Sequence, residues 1–339
     1  APGKTATFTL ALAAAPAGEW VKAFRPYRDH FRKTYGEVRY KDVRRDPIYA
    51  LSLSSGRIRG PYGKLTDENP RGYNGDTRMD KFGWPVYREV VRDRVERRGF
   101  KRVLTWQVSG WYREHVRTNM VWEITSAWPE KMNETVDVFK EIIDGGLAVG
   151  LWCGRAFTIS EGFDSGKRHA WDPDNPADNA AAFKEFDRAY ELGVRMIGCD
   201  AAPVGIHPSD WKPSNIVMFE RIMPMLYERY PEMYWVLEVA PADYMHLWGG
   251  AFIWDAQVTG PNVFAQYVAP GSIAHSVMKR GRLGKKELGL NWQERFDQLI
   301  EWGYVPMVFC DQGGKPVLIK KDEPAEDEPK TEYKEPGQE

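Results

Sequence analysis

The nine residues Leu192–Asp200, LGVRMIGCD, decide the fold of this chain. A helical pattern over Ala180–Leu192 ends at a glycine, and the run Val194–Asp200 that follows is mostly apolar until its closing carboxylate. Glycine relieves the backbone cost of ending a helix, and a short apolar run bounded in this way is typical of a strand buried on both faces. The stretch therefore predicts a helix that leads into one strand of a parallel sheet.

The same unit of helix, turn and apolar run recurs along the chain from Asp46 onward. Helices that alternate with such strands indicate a parallel sheet, and eight strands favour closure into a barrel. No G-x-G-x-x-G fingerprint follows the first strand and no phosphate-binding G-x-x-x-x-G-K-S/T loop is present, which argues against open nucleotide-binding sheets. The sequence therefore predicts an α/β protein with a (β/α)8 TIM barrel. The predicted strands are Pro47–Leu53, Arg102–Val108, Leu147–Trp152, Val194–Asp200, Tyr234–Val239, Ala251–Asp255, Val263–Val268 and Tyr304–Phe309.

We predict that the barrel occupies residues 46–314 and that a short β/helix lead-in precedes it in residues 1–45. Within that lead-in, Thr5–Ala13 alternates polar and apolar side chains as a half-buried strand does. Apolar residues at helical spacing then predict a helix over Trp20–Tyr35.

Residues 315–339 are predicted to hold a terminal strand, Val317–Lys320, and then a disordered acidic tail rich in Pro, Glu and Lys. The predicted lead-in strand Thr5–Ala13 needs a partner strand. Either it pairs with Val317–Lys320, or it is the last strand of a preceding domain.

Composition argues against several classes of function. Lys and Arg number 47 against 48 Asp and Glu, so no positive field would attract nucleic acid. No run of about 18 apolar residues is present, which predicts no membrane partner. The six histidines have no H-x-H or H-E-x-x-H spacing, and the three cysteines match no zinc or redox motif. We therefore expect no metal and no cofactor.

Other properties are left open by the sequence. Because the chain begins with Ala and no signal peptide precedes it, we expect a processed form or an excised piece. The oligomeric state is undetermined, and a secreted or periplasmic location is favoured.

The carboxyl ends of the strands are where a barrel places its active site. Most of the predicted strands end in carboxylates, aromatic rings or polar groups, and the chain has 14 tryptophans. The flat face of an indole, with an N–H donor at its edge, suits the C–H face of a sugar, which makes a carbohydrate the expected partner. The candidate substrate-binding residues are Trp106, Gln107, Trp111, Trp152, Arg155, Glu238, Trp254 and Asp311.

Two strand-end carboxylates, Asp200 and Asp255, suit the cleavage of a glycosidic bond. That reaction needs one carboxylate to attack the anomeric carbon and a second carboxyl group to protonate the leaving oxygen. A carboxylate that ends a buried strand can instead serve the fold, by accepting hydrogen bonds from the backbone of the next loop.

Several short segments resemble clan D glycoside hydrolases, the group of α-galactosidases and α-glucosidases. The resemblance covers roughly residues 20–312, and Phe24–Ile48 looks like the lead-in from an N-terminal β-sandwich to the barrel in that group. The matching strand segments are GGLAVGLW (Gly145–Trp152), LGVRMIGCD (Leu192–Asp200) and FIWD (Phe252–Asp255).

The resemblance implies a retaining hydrolase in which Asp200 is the nucleophile and Asp255 the acid/base. Galactose-specific members have a Lys two residues before the nucleophile, where this chain has Gly198, and paired aspartates where it has WQVSGWY (Trp106–Tyr112). An ordinary galactose subsite is therefore not expected. Four side chains are candidates for holding an acidic or sulfated sugar instead, namely Arg155, Arg168, Trp171 and Lys212.

The first functional hypothesis is a retaining glycoside hydrolase that acts on an α-linked sugar in an oligo- or polysaccharide and so takes part in polysaccharide degradation. The second is a carbohydrate-binding barrel without catalytic activity. A third, supported only by the fold, is a barrel enzyme of different chemistry such as an isomerase or a metal hydrolase.

Overall fold

A closed barrel of eight parallel strands forms the centre of the protein, which confirms the predicted (β/α)8 fold. The structure is a computed structural model that describes residues 10–40, 45–52, 88, 91–106, 132–153, 157–160, 168–199, 214–238, 247–279 and 291–310. The strands are β1 (Ile48–Ser52), β2 (Arg102–Trp106), β3 (Ala148–Cys153), β4 (Thr158–Ser160), β5 (Arg168–Ala170), β6 (Met196–Cys199), β7 (Tyr234–Glu238), β8 (Gly250–Trp254), β9 (Ala274–Lys279) and β10 (Val305–Cys310). The barrel order is β1-β10-β9-β8-β7-β6-β3-β2, and β4 and β5 form a separate antiparallel hairpin.

Helices lie between the strands at most of the places that the sequence predicts. Two of them end in glycines of positive φ, Gly193 (87°) and Gly303 (81°), which turn the chain into the next strand. A π-helical turn, Met218–Ile222, joins the two parts of one amphipathic helix. The described helices are α1 (Arg25–Tyr35), α2 (Met132–Asp144), α3 (Pro176–Glu191), α4 (Asn215–Val217), α5 (Met223–Arg229), α6 (Val263–Val268) and α7 (Trp292–Glu301).

The seventh barrel strand lies later in the chain than predicted. Val263–Val268, expected to be a strand, is the helix α6, and the seventh strand is Ala274–Lys279. The prediction was wrong because α6 is a short apolar run, which periodicity alone cannot distinguish from a strand. The true strand is harder to see because it contains the buried polar residues His275 and Ser276.

The lead-in helix is confirmed as a 3-10 turn, Trp20–Phe24, followed by α1. Helix α1 packs on α6, where Arg32 Nε donates a hydrogen bond to the carbonyl of Val268 at 3.3 Å. Residues 10–13, the described part of the predicted first strand, have no regular structure. Residues 5–9 of that strand, and the whole of 315–339, lie outside the described residues, so the boundaries of the flanking segments stay predictions.

The interior of the barrel at the amino ends of the strands is filled by a buried polar cluster. The guanidinium of Arg102 lies 5.2 Å from the ring centroid of Tyr234, across the barrel from β2 to β7. The hydroxyl of Tyr234 is hydrogen-bonded to Nε2 of His275 on β9 at 2.7 Å. These contacts fix which side chains of each strand point inward, and every second residue along a strand shares that direction.

In the described part of the chain, no helix has the length and apolar character needed to cross a membrane.

Candidate functional site

The candidate site is the interior of the barrel at the carboxyl ends of the strands. Of the ten residues predicted to be catalytic or substrate-binding, four have described side chains. Five lie outside the described residues, namely Asp200, Gln107, Trp111, Arg155 and Asp311. Trp106 ends β2, but only its backbone is described. The four described side chains are Trp152, Glu238, Trp254 and Asp255.

Trp152 points into the barrel and reaches across it. Its ring lies 5.5 Å from that of Phe252, although β3 and β8 are not neighbours in the barrel. Both side chains are almost fully buried, at 3% and 2% exposure. The two aromatic rings therefore form a floor beneath the site rather than an open sugar-binding face.

Gly198 makes room for this indole. A Cβ atom at position 198 would lie 2.1 Å from Cε3 of Trp152, closer than two carbon atoms can approach. This contact gives a physical reason for the departure from the galactose-specific pattern, in which a lysine occupies this position. In this protein the indole of Trp152 occupies the space inside the barrel next to residue 198.

Glu238 ends β7 on the inner face. Tyr234 points inward, as its contacts with Arg102 and His275 show, and residues two and four positions further along a strand point the same way. The exposure of β7 changes from buried to intermediate at Glu238, its last residue. The side chain of Glu238 is therefore directed toward the barrel interior, and the residue as a whole is partly exposed.

Trp254 is a partly exposed aromatic residue at the end of the neighbouring strand β8. Its ring meets Phe252 edge-on at 5.4 Å, and Phe252 is the register partner of Glu238 on the neighbouring strand. Because Phe252 points inward, Trp254, two residues later, shares its direction. An indole next to a carboxyl group at the end of a barrel is a suitable surface for a sugar ring.

Asp255 lies on the opposite face. It directly follows Trp254, so the strand alternation directs its side chain away from the interior, toward α7. Nε of Arg295 on that helix donates to Oδ1 of Asp255 at 2.8 Å, and Ser276 Oγ lies 3.4 Å from the same oxygen. The side chains of Asp255 and Arg295 are 0% and 2% exposed.

The guanidinium of Arg295 has further partners that hold it in place. Nη2 donates to the backbone carbonyl of Val258 at 2.8 Å, Nη1 donates to Gln298, and the group lies over the ring of Trp302. The Asp255 carboxylate is thus part of a closed network between β8, the turn after it and α7. A role for Asp255 in proton transfer stays a prediction.

Trp171, one of the candidates for an acidic or sulfated sugar, is a core residue. It is 1% exposed, its ring stacks at 5.9 Å on Phe157, and its Nε1–H donates to Asn179 at 2.8 Å. It offers no face to a substrate in this arrangement. Arg155 and Lys212 lie outside the described residues, and the side chain of Arg168 is not described.

A histidine–aspartate pair, which no sequence motif had indicated, lies between the β4–β5 hairpin and α3. His169 Nε2 is 3.0 Å from the carboxylate of Asp178, which also accepts hydrogen bonds from Asp172 N and Asn175 Nδ2, both at 2.9 Å. Asn175 caps α3, so the buried Asp178 ties the hairpin to the start of that helix. This network anchors the β4–β5 hairpin to α3.

Among the described residues, no group of three or more His, Cys, Asp and Glu side chains is arranged to hold a metal ion. Cys153 and Cys199 end the neighbouring strands β3 and β6, and both are buried cysteines outside any disulfide.

No family model matches the chain, and no curated protein matches it. Solved structures give a remote similarity. An alpha-L-fucosidase from Bacteroides thetaiotaomicron has 12% identity and a TM-score of 0.44, over 80% of this chain and 69% of that one. A maltogenic alpha-amylase from Thermotoga neapolitana has 10% identity and a TM-score of 0.41, over 69% of this chain and 59% of that one. A D-psicose 3-epimerase has 11% identity and a TM-score of 0.40, over 78% and 83%. Glycoside hydrolases and an epimerase are both present, so the similarity assigns no reaction to this chain.

Proposed function

We propose that this protein is a retaining glycoside hydrolase that cleaves an α-linked sugar from an oligo- or polysaccharide. The observation that carries the proposal is the placement of Glu238 and Trp254, an inward-facing glutamate and a partly exposed, inward-facing tryptophan at the carboxyl ends of the neighbouring strands β7 and β8 of a closed barrel. Glycoside hydrolysis needs a carboxyl group that exchanges a proton, and an indole offers a flat apolar face to a sugar ring.

The proposed nucleophile is Asp200, which directly follows β6. The register of the neighbouring strands β6 and β7 pairs Cys199 with Leu237, and these residues come just before Asp200 and Glu238 in the sequence. Adjacent strands are about 4.8 Å apart, and retaining glycosidases hold their two carboxyl groups about 5 Å apart. The sequence position of Asp200, directly after β6, supports the choice of this carboxylate.

Turnover of a panel of aryl α-glycosides tests the proposal. The panel contains neutral hexosides, a 6-deoxyhexoside, a uronide and a sulfated hexoside, because the sequence also offers candidate residues for an acidic or sulfated sugar. We expect hydrolysis of at least one member, with the first sugar product released in the α configuration as seen by NMR. Asp200→Asn should lower kcat/KM on the order of 10³-fold, while Asp29→Asn, on the exposed side of α1, should leave it unchanged.

The competing function is a carbohydrate-binding barrel without turnover. It predicts that no glycoside is hydrolysed while a sugar still binds, and that Asp200→Asn leaves the affinity unaltered. Hydrolysis with inversion, or equal activity of Asp200→Asn and wild type, would contradict the proposed mechanism.

A further inference from the structure

Within the proposed function, we propose that Glu238 is the acid/base of the reaction and that Asp255 is instead a structural residue that joins β8 to α7. The inference rests on the protein being a glycoside hydrolase. The inference departs from the pattern implied by the resemblance to clan D glycoside hydrolases, in which the carboxylate after β8, Asp255, exchanges the proton.

The first argument is access. A general acid must come within about 3 Å of the leaving oxygen, and the leaving oxygen of a substrate in the barrel lies on the inner side of the strands. The side chain of Asp255 is 0% exposed and lies on the outer side, against Arg295 of α7. Glu238 lies on the inner side and is partly exposed.

The second argument is the cost of releasing Asp255. To reach the interior, its carboxylate would have to leave a guanidinium at 2.8 Å that is itself 2% exposed. Arg295 would then be a buried cation without its carboxylate, which is strongly unfavourable. An acid/base residue would have to meet this cost in each catalytic cycle, so the position of Asp255 does not suit that role.

The third argument is the position of Glu238. It is the register partner of Phe252, whose ring borders Trp254, so Glu238 and the partly exposed Trp254 end neighbouring strands on the same inner face. In the described part of the chain, Glu238 is the one carboxylate that ends a barrel strand and faces inward. A sugar placed on Trp254 would have Glu238 at its side.

The chemistry follows in two steps. Protonated Glu238 gives its proton to the glycosidic oxygen as the C–O bond breaks, and a carboxylate oxygen of Asp200 forms a bond to the anomeric carbon. Glu238, now ionised, takes a proton from water while the water oxygen attacks that carbon and displaces Asp200. Both carboxyl groups return to their starting states, and the net reaction consumes one water.

Leaving-group dependence and azide rescue separate the two carboxylates. In Glu238→Gln, kcat/KM for a phenyl glycoside should fall by roughly 10²- to 10⁴-fold, with a much smaller loss for the dinitrophenyl glycoside, whose leaving group needs no proton. Azide should restore turnover and yield a glycosyl azide of retained configuration. The basic limb of the pH profile should also disappear. Glu232→Gln, an exposed glutamate earlier on the same segment, is the matched control and should behave as wild type.

Asp255→Asn should instead lower the melting temperature, on the order of 10 °C, while any remaining activity keeps the leaving-group dependence of wild type and is not rescued by azide. If this variant does not fold, the double variant Asp255→Leu/Arg295→Met replaces it, because apolar pairs of similar volume substitute well for buried ion pairs. Turnover of a phenyl glycoside by the double variant would show that the Asp255 carboxylate is not needed.

Azide rescue in Asp255→Asn, together with unchanged kinetics in Glu238→Gln, would overturn the inference and leave the proposed function intact. Rescue of neither variant, with both losing activity equally on both leaving groups, would also overturn the role of Glu238. If wild type hydrolyses no glycoside, the proposed function fails together with the role of Glu238. In that case melting temperatures alone decide whether Asp255 is structural.

Discussion

The six-membered ring of Trp152 occupies the place of a side chain at position 198, since a Cβ on Gly198 would lie 2.1 Å from Cε3 of the indole and 2.5 Å from Cζ3. The two residues are register partners on β3 and β6. Position 198 cannot gain a side chain without displacing the indole, because the barrel interior is densely packed.

Gly198→Ala should therefore destabilise the protein by about 1–3 kcal/mol through overpacking. Chemical denaturation followed by near-UV circular dichroism measures the loss and reports the displaced indole. Gly260→Ala is the matched control, because a Cβ there would have no neighbour within 4 Å, and it should be close to neutral. A neutral Gly198→Ala would mean that the Trp152 ring is not held against β6.

Trp254→Ala should weaken substrate binding. Loss of one stacked indole is expected to raise KM about tenfold, which corresponds to about 1.4 kcal/mol, with a smaller effect on kcat. Steady-state kinetics on the best glycoside of the panel measures it. Trp20→Ala removes an indole that is 53% exposed on the lead-in segment, and an equal rise in KM in both variants would argue against a sugar at Trp254.

Stability should fall at acidic pH because of His275. Burial lowers the pKa of His275 well below its ordinary value, and the nearby positive charge of Arg102 lowers it further. The unfolded chain then binds a proton that the folded protein does not bind. The stability that neutral His275 contributes is complete above about pH 6.5 and is lost as the pH falls from there toward the folded pKa.

The expected loss has a slope of up to about 1.4 kcal/mol per pH unit below pH 6.5. His275→Gln keeps a hydrogen-bonding partner for Tyr234 but does not titrate, so its free energy of unfolding should approach that of wild type as the pH is lowered. Urea denaturation at a series of pH values measures the difference. A constant difference across the series would show that His275 does not cause the acid sensitivity.

Two neighbouring aspartates should differ in their effect on stability. Asp178 is buried and accepts hydrogen bonds from His169, Asp172 N and Asn175, so Asp178→Ala should cost about 2–3 kcal/mol, because it leaves these donors without their acceptor. Asp174 pairs with Arg221 on the surface, where its side chain is 68% exposed. Asp174→Ala should not change stability measurably, because solvent screens such a pair. Thermal unfolding of the two variants compares them directly.

The barrel was predictable from the sequence because seven of its strands are short apolar runs, most of which follow a helix. Ala274–Lys279 was missed because His275 and Ser276, which read as polar loop residues, are buried with partners from distant parts of the chain. Tyr234 is hydrogen-bonded to His275, and the carboxylate of Asp255 lies 3.4 Å from Ser276 Oγ. Local hydropathy does not contain those partners, which come together only once the strands are side by side.

The predicted site shows the same limit at the scale of one residue. The sequence correctly placed a carboxylate after the sixth barrel strand and a tryptophan before it. It did not show that the strand ends at Trp254 with that residue facing inward, which turns Asp255 outward. Because strand side chains alternate, a difference of one position exchanges the interior for the outer surface. Glu238 was expected to bind substrate, and its inward direction follows from Tyr234, four residues earlier.

The aromatic floor made by Trp152 and Phe252 also limits the directions from which substrate and water can reach the proposed site. With both rings almost fully buried and the polar cluster of Arg102, Tyr234 and His275 beyond them, the barrel axis is closed from below. In the described part of the barrel, the sugar, the departing alcohol and the incoming water would therefore enter and leave at the carboxyl ends of the strands. Water would then reach the covalent intermediate only after the leaving group has left by the same end.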